Sequence, residues 1–271
     1  MLRTRFISAL LLGLPVLGII VLGGAAYAAL VLIIFSICLI EFNHLVARRG
    51  HRAFGALMVL WLLLFWVSRL WPEFPYSGAL AALLLVGTMG WAIVRFRQGT
   101  ANAFTGFAMT IAGAFYIGWP GAHFVSMRFM EDGLFWTLTL LVAVWSADTF
   151  AYLIGSAFGR RRLLPDISPG KTWEGYLGGV VLGTLLTGAA MLGWRALGAG
   201  PSFNWLNGMA VGFLISSIAP LGDFAISMLK RYVGAKHASN LIPGHGGLLD
   251  RTDALIIGGL ILYYYATLVA F

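Results

Sequence analysis

Residues 223–253 read DFAISMLKRYVGAKHASNLIPGHGGLLDRTD and hold acidic, basic and histidine side chains in a chain that is otherwise strongly apolar. The sequence of 271 residues is 60% hydrophobic and 10% charged, whereas soluble domains average roughly 25% charged. Ionisable groups at membrane depth are costly and are kept mainly where they face a cavity, a substrate or each other. This polar stretch is therefore the first candidate for a functional site.

The beginning of this stretch predicts a charged helix face, made of Asp223, Ser227, Lys230 and Arg231. In a helix these positions follow at i, i+4, i+7 and i+8, so they share one stripe. A helix that only packs against its neighbours would not carry such a stripe. Further on, a proline and three glycines within residues 243–247 exclude a regular helix or strand. We expect that loop to expose its backbone to a ligand.

A second carboxylate, Asp250, follows the loop and is accompanied by Asp253. Helix capping is one role open to both. Together with Asp223, however, Asp250 would supply the oxygen ligands that Mg²⁺ prefers, with waters and substrate phosphates completing the shell. The nearby cations are Lys171, Lys230, Arg231, Lys236 and Arg251. Zinc-site spacing and a serine nucleophile elbow are missing. The pattern favours phosphoryl or nucleotidyl transfer at a membrane surface.

Two upstream segments add polar groups. In SPGKTWEG, Ser168 to Gly170 predict a turn, after which Lys171, Thr172 and a helix start could bind an anion. Ordinary topology-setting charge is the alternative, because the Walker spacing is absent. In WSADTFAYLIG, Asp148 stands midway along an apolar helix, and we expect it to be buried beside a cation, a metal or substrate. A hydrogen bond between helices is the alternative.

The elements that must position these groups are membrane helices. Stretches long enough to cross a bilayer core, which takes about 20 residues each, lie near 6–22, 25–46, 53–71, 77–95, 101–119, 134–157, 174–197, 205–229 and 252–270. The predicted fold is thus all-α, a polytopic integral membrane bundle of about nine transmembrane helices. A count of eight is the alternative, because only Gly23 and Gly24 divide the first two stretches.

Charge sets the orientation. With the N-terminus inside, all Lys and Arg fall on the inner side except Arg69, Arg128 and Arg195. This bias predicts a multi-pass protein of the cell (inner) membrane whose N-terminus and polar site face the cytoplasm. The formal net charge of +8 is scattered between apolar spans, so we expect anionic lipid and phosphorylated substrates rather than nucleic acid as partners.

The chain divides by chemistry within one continuous membrane domain. Residues 1–133 are interpreted as transmembrane scaffold and lipid wall, because Glu41 and the other acids there lie near span ends. Residues 134–271 hold the catalytic helices. Gly175, Gly179 and Gly183 recur every fourth residue, which allows a neighbouring helix to approach closely. Such faces also allow a homodimer.

At these residues the sequence closely resembles the phosphatidate cytidylyltransferase family of integral-membrane CDP-diacylglycerol synthases. The pattern is matched by Ser227, Lys230, Arg231, Lys236, Pro243, Gly244, His245, Gly246, Gly247, Asp250, Arg251 and Asp253. The resemblance extends back through Asp223, the SPGKTWEG segment and Asp148, and so covers roughly residues 145–255. One position departs from the pattern, because His237 stands where the family has aspartate.

The resemblance implies that CTP and phosphatidate become CDP-diacylglycerol and pyrophosphate, with Mg²⁺ held by Asp223 and Asp250 and the number of metal ions left open. The implied catalytic residues are Asp223, Asp250, Lys230, Arg231, His245 and Asp253. The implied substrate-binding residues are Lys171, Ser168, Thr172, Ser227, Lys236, Gly246, Gly247, Arg251 and Asp148. The alternatives are a CTP-dependent polyprenol or phytol kinase, a CDP-archaeol synthase, an inactive relative, and a membrane transporter.

Overall fold

The computed structural model describes residues 2–51, 53–242 and 246–270, and the side chains of these residues apart from 2–10 and 12. The chain forms two compact units. The first contains Met1–Ser126 and Leu229–Arg251, and the second contains Met127–Met228 and Thr252–Phe271. The polar stretch found in the sequence is thus shared between the units, since its middle part belongs to the first and its two ends to the second.

The first part of the chain is a series of apolar helices. They are α1 (Leu2–Leu22), α2 (Gly24–Ala47), α3 (Gly55–Leu70), α4 (Ser77–Arg97), α5 (Ala103–Gly113) and α6 (Trp119–Phe129), the last two joined by a π-helical turn at Ala114–Gly118. Helices α1 and α2 are separate because Gly23 has a φ of 67°, a left-handed conformation that glycine adopts without a steric penalty. The predicted boundary at Gly23 and Gly24 is confirmed.

The later part adds longer helices and one short hairpin. Its elements are α7 (Gly133–Phe158), β1 (Arg162–Leu164), β2 (Ser168–Thr172), α8 (Trp173–Ala196), α9 (Trp205–Ile218), α10 (Pro220–Tyr232) and α11 (Leu249–Tyr265), which ends in a π-helical turn at Ala266–Ala270. Only Ala219 separates α9 from α10, and Pro220 begins α10 at a position where the missing N–H of proline costs nothing.

The all-α membrane fold is confirmed. Within the described residues, each predicted span coincides with a helical segment. By length and apolar composition, six segments could each cross a membrane: Gly24–Ala47, Ser77–Arg97, Gly133–Phe158, Trp173–Ala196, Trp205–Tyr232 and Leu249–Ala270. Two shorter apolar helices cover Gly13–Leu22 and Gly55–Leu70. The assignment of scaffold to residues 1–133 and catalysis to residues 134–271, within one membrane domain, stays a prediction.

Close helix packing in the second unit depends on glycine. A Cβ on Gly175 would lie 2.6 Å from the carbonyl oxygen of Ala151, and one on Gly179 would lie 2.6 Å from that of Ala147. A Cβ on Gly212 would likewise lie 2.8 Å from Cα of Thr184. Helix α8 therefore packs almost backbone to backbone against α7 on one side and α9 on the other. The predicted packing role of the α8 glycines is confirmed.

The segment between α7 and α8 differs from the prediction. Ser168 to Gly170 were expected to form a turn, but they belong to strand β2, where Ser168 pairs with Leu164 and Thr172 pairs with Arg162. The turn lies at residues 165–167 instead. The reason is that Pro165 and Asp166 provide the turn, which leaves the following residues extended and able to pair.

Candidate active site

The start of α8 is tied to the hairpin by side-chain caps. Thr172 is the N-cap residue, and its hydroxyl accepts a hydrogen bond from the Gly175 amide at 3.1 Å. Glu174, in the first turn, accepts from the amides of Arg160 at 3.0 Å and Arg161 at 3.2 Å. Acceptors at these positions satisfy backbone N–H groups that would otherwise lack partners. Thr172, predicted to bind substrate, is buried, and its hydroxyl is used for the helix cap.

Lys171, next to this cap, forms an ion pair with the first candidate carboxylate. Its Nζ lies 2.5 Å from Oδ2 of Asp223, in the first turn of α10, and 4.5 Å from the centre of the Phe224 ring. The Ser227 hydroxyl donates to Oδ1 of Asp223 at 3.1 Å. The predicted helical stripe is thus present, and the predicted phosphate-binding lysine meets a predicted metal ligand within the second unit.

A second ion pair joins Lys230 and Asp250 in the first unit. Nζ of Lys230 lies 2.6 Å from Oδ1 of Asp250, and the two side chains are 13% and 6% exposed. The other oxygen, Oδ2, accepts from the amides of Ala238 at 2.9 Å and Gly247 at 3.1 Å. Asp250 therefore neutralises a lysine and also holds both sides of the glycine-rich loop.

The loop between α10 and α11 needs glycine at two places. Gly234, two residues after the end of α10, has a φ of 70°, and Gly246 has a φ of 86°. A Cβ on Gly246 would lie 2.9 Å from Oδ2 of Asp250 and 3.0 Å from Nδ1 of His237. The backbone groups of Ile242 and Gly246 hydrogen-bond to each other. The predicted site residue His245 lies outside the described residues, as do Pro243 and Gly244.

Glu41 is a site residue that the sequence interpretation missed. Its side chain, near the end of α2, is only 3% exposed. It accepts hydrogen bonds from the Ser239 hydroxyl at 2.5 Å, the Leu248 amide at 3.0 Å and the Leu249 amide at 2.7 Å. Glu41 therefore caps the start of α11. Its position near a span end suggested an ordinary interfacial charge, and no local pattern links residues some 200 positions apart.

His237, which departs from the family pattern, lies beside Asp250. Its ring is about half exposed, and Nδ1 is 4.0 Å from Oδ2 of Asp250. An aspartate at this position would place a second carboxylate next to Asp250. The chain thus has an imidazole where the family pattern has a carboxylate.

The remaining predicted residues occupy varied positions. Arg231, Lys236 and Arg251 have exposed side chains. Asp253 is buried, and its carboxylate accepts from the Ala254 amide at 2.8 Å. A Cβ on Gly222 would collide with the carbonyl oxygen of Asp253. Gly222, near the start of α10, therefore lies directly against the backbone of Asp253.

Asp148 corrects one expectation. It was predicted to be buried within its helix, but the structure leaves it exposed, together with Thr149 and Tyr152 on the same face of α7. The periodicity is the reason, since the buried face of α7 includes Val144 and Ala147 and residue 148 lies beyond its edge. Its predicted substrate-binding role stays a prediction.

The candidate metal ligands are two carboxylates, Asp223 and Asp250. Among the described residues, no three His, Cys, Asp or Glu side chains lie together as a ready metal cluster. Asp223 and Asp250 each present carboxylate oxygens, the donors that Mg²⁺ prefers, and this ion commonly takes one or two protein carboxylates plus substrate phosphates. The donor chemistry fits magnesium better than zinc.

Apolar helices long enough to cross a bilayer, with two lysine–carboxylate ion pairs among their polar residues, define an integral membrane protein. A family model described as the cytidylyltransferase family matches residues 3–269. The chain belongs to this family.

Three curated phosphatidate cytidylyltransferases match over almost their whole length. A phosphatidate cytidylyltransferase of Brucella melitensis is 34% identical over 274 residues, which are 99% of this chain and 94% of the relative. One of Synechocystis is 31% identical, covering 97% of this chain and 96% of the relative. One of Bacillus subtilis is 29% identical and covers 98% of each.

Proposed function

We propose that this chain transfers the cytidylyl group of CTP to phosphatidate, giving CDP-diacylglycerol and pyrophosphate in phospholipid biosynthesis. The observation that carries this function is the match of nearly the whole chain to the cytidylyltransferase family and to relatives named phosphatidate cytidylyltransferase. The two lysine–aspartate pairs agree with it, because both substrates bring phosphate groups to a membrane protein.

The reaction needs little proton transfer. A phosphate oxygen of phosphatidate attacks the α-phosphorus of CTP, a new P–O bond forms, and the bond to the β-phosphate breaks to release pyrophosphate. The attacking oxygen is already anionic, so no strong general base is required. The main obstacle is repulsion between a triphosphate and a phosphomonoester, which cationic side chains and metal ions offset.

Lysines fixed by carboxylates suit this task. We assign phosphate binding to Lys171, Lys230 and Arg231, with His245 as a hydrogen-bond donor. The ion pairs to Asp223 and Asp250 hold the two ammonium groups in defined positions before substrate arrives, which lowers the entropy cost of organising the site. Lys236, Arg251 and the backbone of Gly246 and Gly247 are assigned to secondary phosphate contacts.

Magnesium completes the proposal. Asp223 and Asp250 would hold Mg²⁺, with Asp253 on the neighbouring turn of α11. The ion would neutralise phosphate charge during the transfer and polarise the α-phosphoryl group. Asp250 also accepts hydrogen bonds from two backbone amides of the loop. Substituting Asp250 would therefore disturb the loop as well as the metal site. Asp223 is the cleaner test of metal binding.

We further propose that the N-terminus and the site face the cytoplasm in the inner membrane, as the distribution of Lys and Arg favours. This side gives access to a water-soluble nucleotide. A homodimer also stays a prediction. The glycine faces of α8 pack inside the second unit and therefore give a dimer no support.

The decisive experiment supplies purified protein with labelled CTP, Mg²⁺ and vesicles that contain either phosphatidate or polyprenol. We expect CDP-diacylglycerol and pyrophosphate from phosphatidate alone. CDP together with a lipid phosphate would instead identify a kinase, and a protein that consumes no CTP with either lipid would be an inactive relative or a transporter.

Asp223→Asn tests the metal assignment in the same assay. Loss of the carboxylate should lower turnover on the order of 100-fold, the usual cost of removing one electrostatic contact to the transition state. Asp166→Asn, in the exposed hairpin turn, is the matched control and should keep full activity. Near-normal turnover of Asp223→Asn at low Mg²⁺ concentration would remove Asp223 from the metal site.

A further inference from the structure

The attachment of the glycine-rich loop to α2 carries an inference beyond the reaction itself. Three donors, from Ser239, Leu248 and Leu249, converge on the buried carboxylate of Glu41. Hydrogen bonds to a charged acceptor contribute more to stability than bonds between neutral groups. A buried carboxylate with three donors is therefore a strong local constraint on Ser239 and on residues 248 and 249.

A second contact attaches the end of α10, which precedes the loop. Nε of Arg49, just after α2, donates to the carbonyl oxygen of Tyr232 at 2.8 Å, and its guanidinium carbon lies 5.1 Å from the centre of the Tyr232 ring. His51 lies 3.1 Å from the Tyr232 hydroxyl. The end of α2 and the turn after it thus contact residue 232 on one side of the loop, and residues 239, 248 and 249 farther along.

Gly247 connects Glu41 to the candidate catalytic carboxylate of Asp250. A Cβ on Gly247 would lie 2.7 Å from Oε2 of Glu41, so the Gly247 backbone is pressed against that carboxylate. The Gly247 amide in turn donates to Oδ2 of Asp250. Movement of the loop away from Glu41 would displace a hydrogen-bond donor of Asp250.

We propose that Glu41 is a positioning residue for the reaction: it fixes Ser239, Gly247 and the start of α11 at Leu248 and Leu249, and through them the Asp250 carboxylate and its partner Lys230. This inference rests on the proposed function, because it treats Asp250 and Lys230 as parts of the catalytic site. It also gives the first 133 residues, interpreted from sequence as scaffold, a specific part in forming that site.

Glu41→Gln is the sharpest variant, because it keeps size and shape. The glutamine offers only one acceptor oxygen. Its NH₂ group would face a donor from which Glu41 now accepts a hydrogen bond. We expect the loop to shift, kcat to fall about 10–100-fold, and the CTP KM or the Mg²⁺ concentration for half-maximal rate to rise, as for other residues that orient ligand groups. Glu73→Gln, an exposed glutamate of the same unit, is the control and should behave as wild type.

The kinetic pattern separates positioning from simple stability. A purely structural role would reduce the fraction of folded enzyme, so the apparent kcat would fall while the CTP KM and Mg²⁺ dependence stayed constant. That result, or wild-type kinetics, would overturn the proposal. Should Glu41→Gln fail to fold, Ser239→Ala removes one of the three donors, and the same changes are expected at smaller size; unchanged kinetics there would overturn it.

A readout independent of turnover distinguishes this proposal from the proposed function. In a Cys38→Ala background, Ala238→Cys places a thiol at a buried loop position. A maleimide should react slowly with it when Glu41 is present and at least 10-fold faster with Glu41→Gln; equal rates would overturn the positioning role. If the wild type made no CDP-lipid but the thiol became accessible in Glu41→Gln, the proposed function would fail while the loop attachment stood.

Discussion

At the residue scale, the two ion pairs differ in burial. We therefore expect their removal to change the stability of the protein by different amounts. Lys171 and Asp223 are each about one-third exposed, and an ion pair in contact with water contributes about 0–1 kcal/mol. Lys230 and Asp250 are largely buried, and breaking a buried pair costs about 3 kcal/mol because the remaining charge is left unpaired.

We therefore predict that Lys171→Ala and Lys230→Ala both lower cytidylyl transfer on the order of 100-fold, but only Lys230→Ala lowers the melting temperature by several degrees. Activity is measured with labelled CTP and stability by thermal unfolding in detergent. Lys236→Ala, at an exposed position of the same loop, is the comparison for stability. Equal melting temperatures for the Lys171 and Lys230 variants would contradict the burial argument.

His237 yields a second prediction. His237→Asp would place a carboxylate about 4 Å from Asp250, which disfavours the empty site by like-charge repulsion and favours a bound divalent cation. We expect half-maximal activity at a lower Mg²⁺ concentration, measured by titrating Mg²⁺ at saturating CTP. His237→Asn removes the imidazole without adding charge and should leave the Mg²⁺ requirement unchanged. If His237→Asp needed a higher Mg²⁺ concentration for half-maximal activity, residue 237 would not lie close enough to the metal to assist its binding.

The sequence predicted contacts between residues close together along the chain, but it missed Glu41, whose partners are far away in sequence. Asp223 and Ser227 were expected on one helix stripe, and they are hydrogen-bonded there. Glu41 was not recognised, because its partners lie about 200 positions away. Burial of Asp148 was predicted wrongly, since an apolar helix does not show in its sequence which face is covered.

At the element scale, the glycines of α8 determine how closely three helices approach. Gly179→Ala should destabilise the protein by about 1–3 kcal/mol, the usual cost of overpacking, because the new methyl group would meet the carbonyl oxygen of Ala147. Gly193→Ala, on the same helix with nothing within 4 Å of its Cβ position, should be neutral or stabilise by about 0.5–1 kcal/mol. Thermal unfolding of the two variants in detergent gives the comparison, and a stable Gly179→Ala protein would show that the helices can separate.

Helices were predictable and the hairpin was not, for a physical reason. Long apolar stretches must form helices in a membrane, because every backbone polar group needs an internal partner. The nine predicted stretches therefore correspond to helical segments in the described residues. Strands β1 and β2 are three and five residues long, and such short polar segments show neither alternation nor apolar length.

At the scale of the whole molecule, exposed apolar side chains agree with a lipid environment. Leu83, Val86 and Phe96 of α4 are each at least 60% exposed, which water would penalise and a bilayer core would not. Helix α4 is long and apolar enough to span a membrane on its own. Its exposed surface is therefore expected to face lipid, as the composition of the chain predicted.

The orientation of the molecule gives the last prediction. If basic residues lie on the inner side, the segment between α6 and α7 faces outward and the β1–β2 hairpin faces the cytoplasm. In a Cys38→Ala background, a membrane-impermeant maleimide should label Glu131→Cys in right-side-out vesicles and leave Asp166→Cys unlabelled until the membrane is opened. Both substitutions lie at exposed positions, so protection can come only from the membrane. The reverse labelling would place the hairpin with Lys171 outside, away from any cytoplasmic nucleotide, and would exclude the proposed access of CTP.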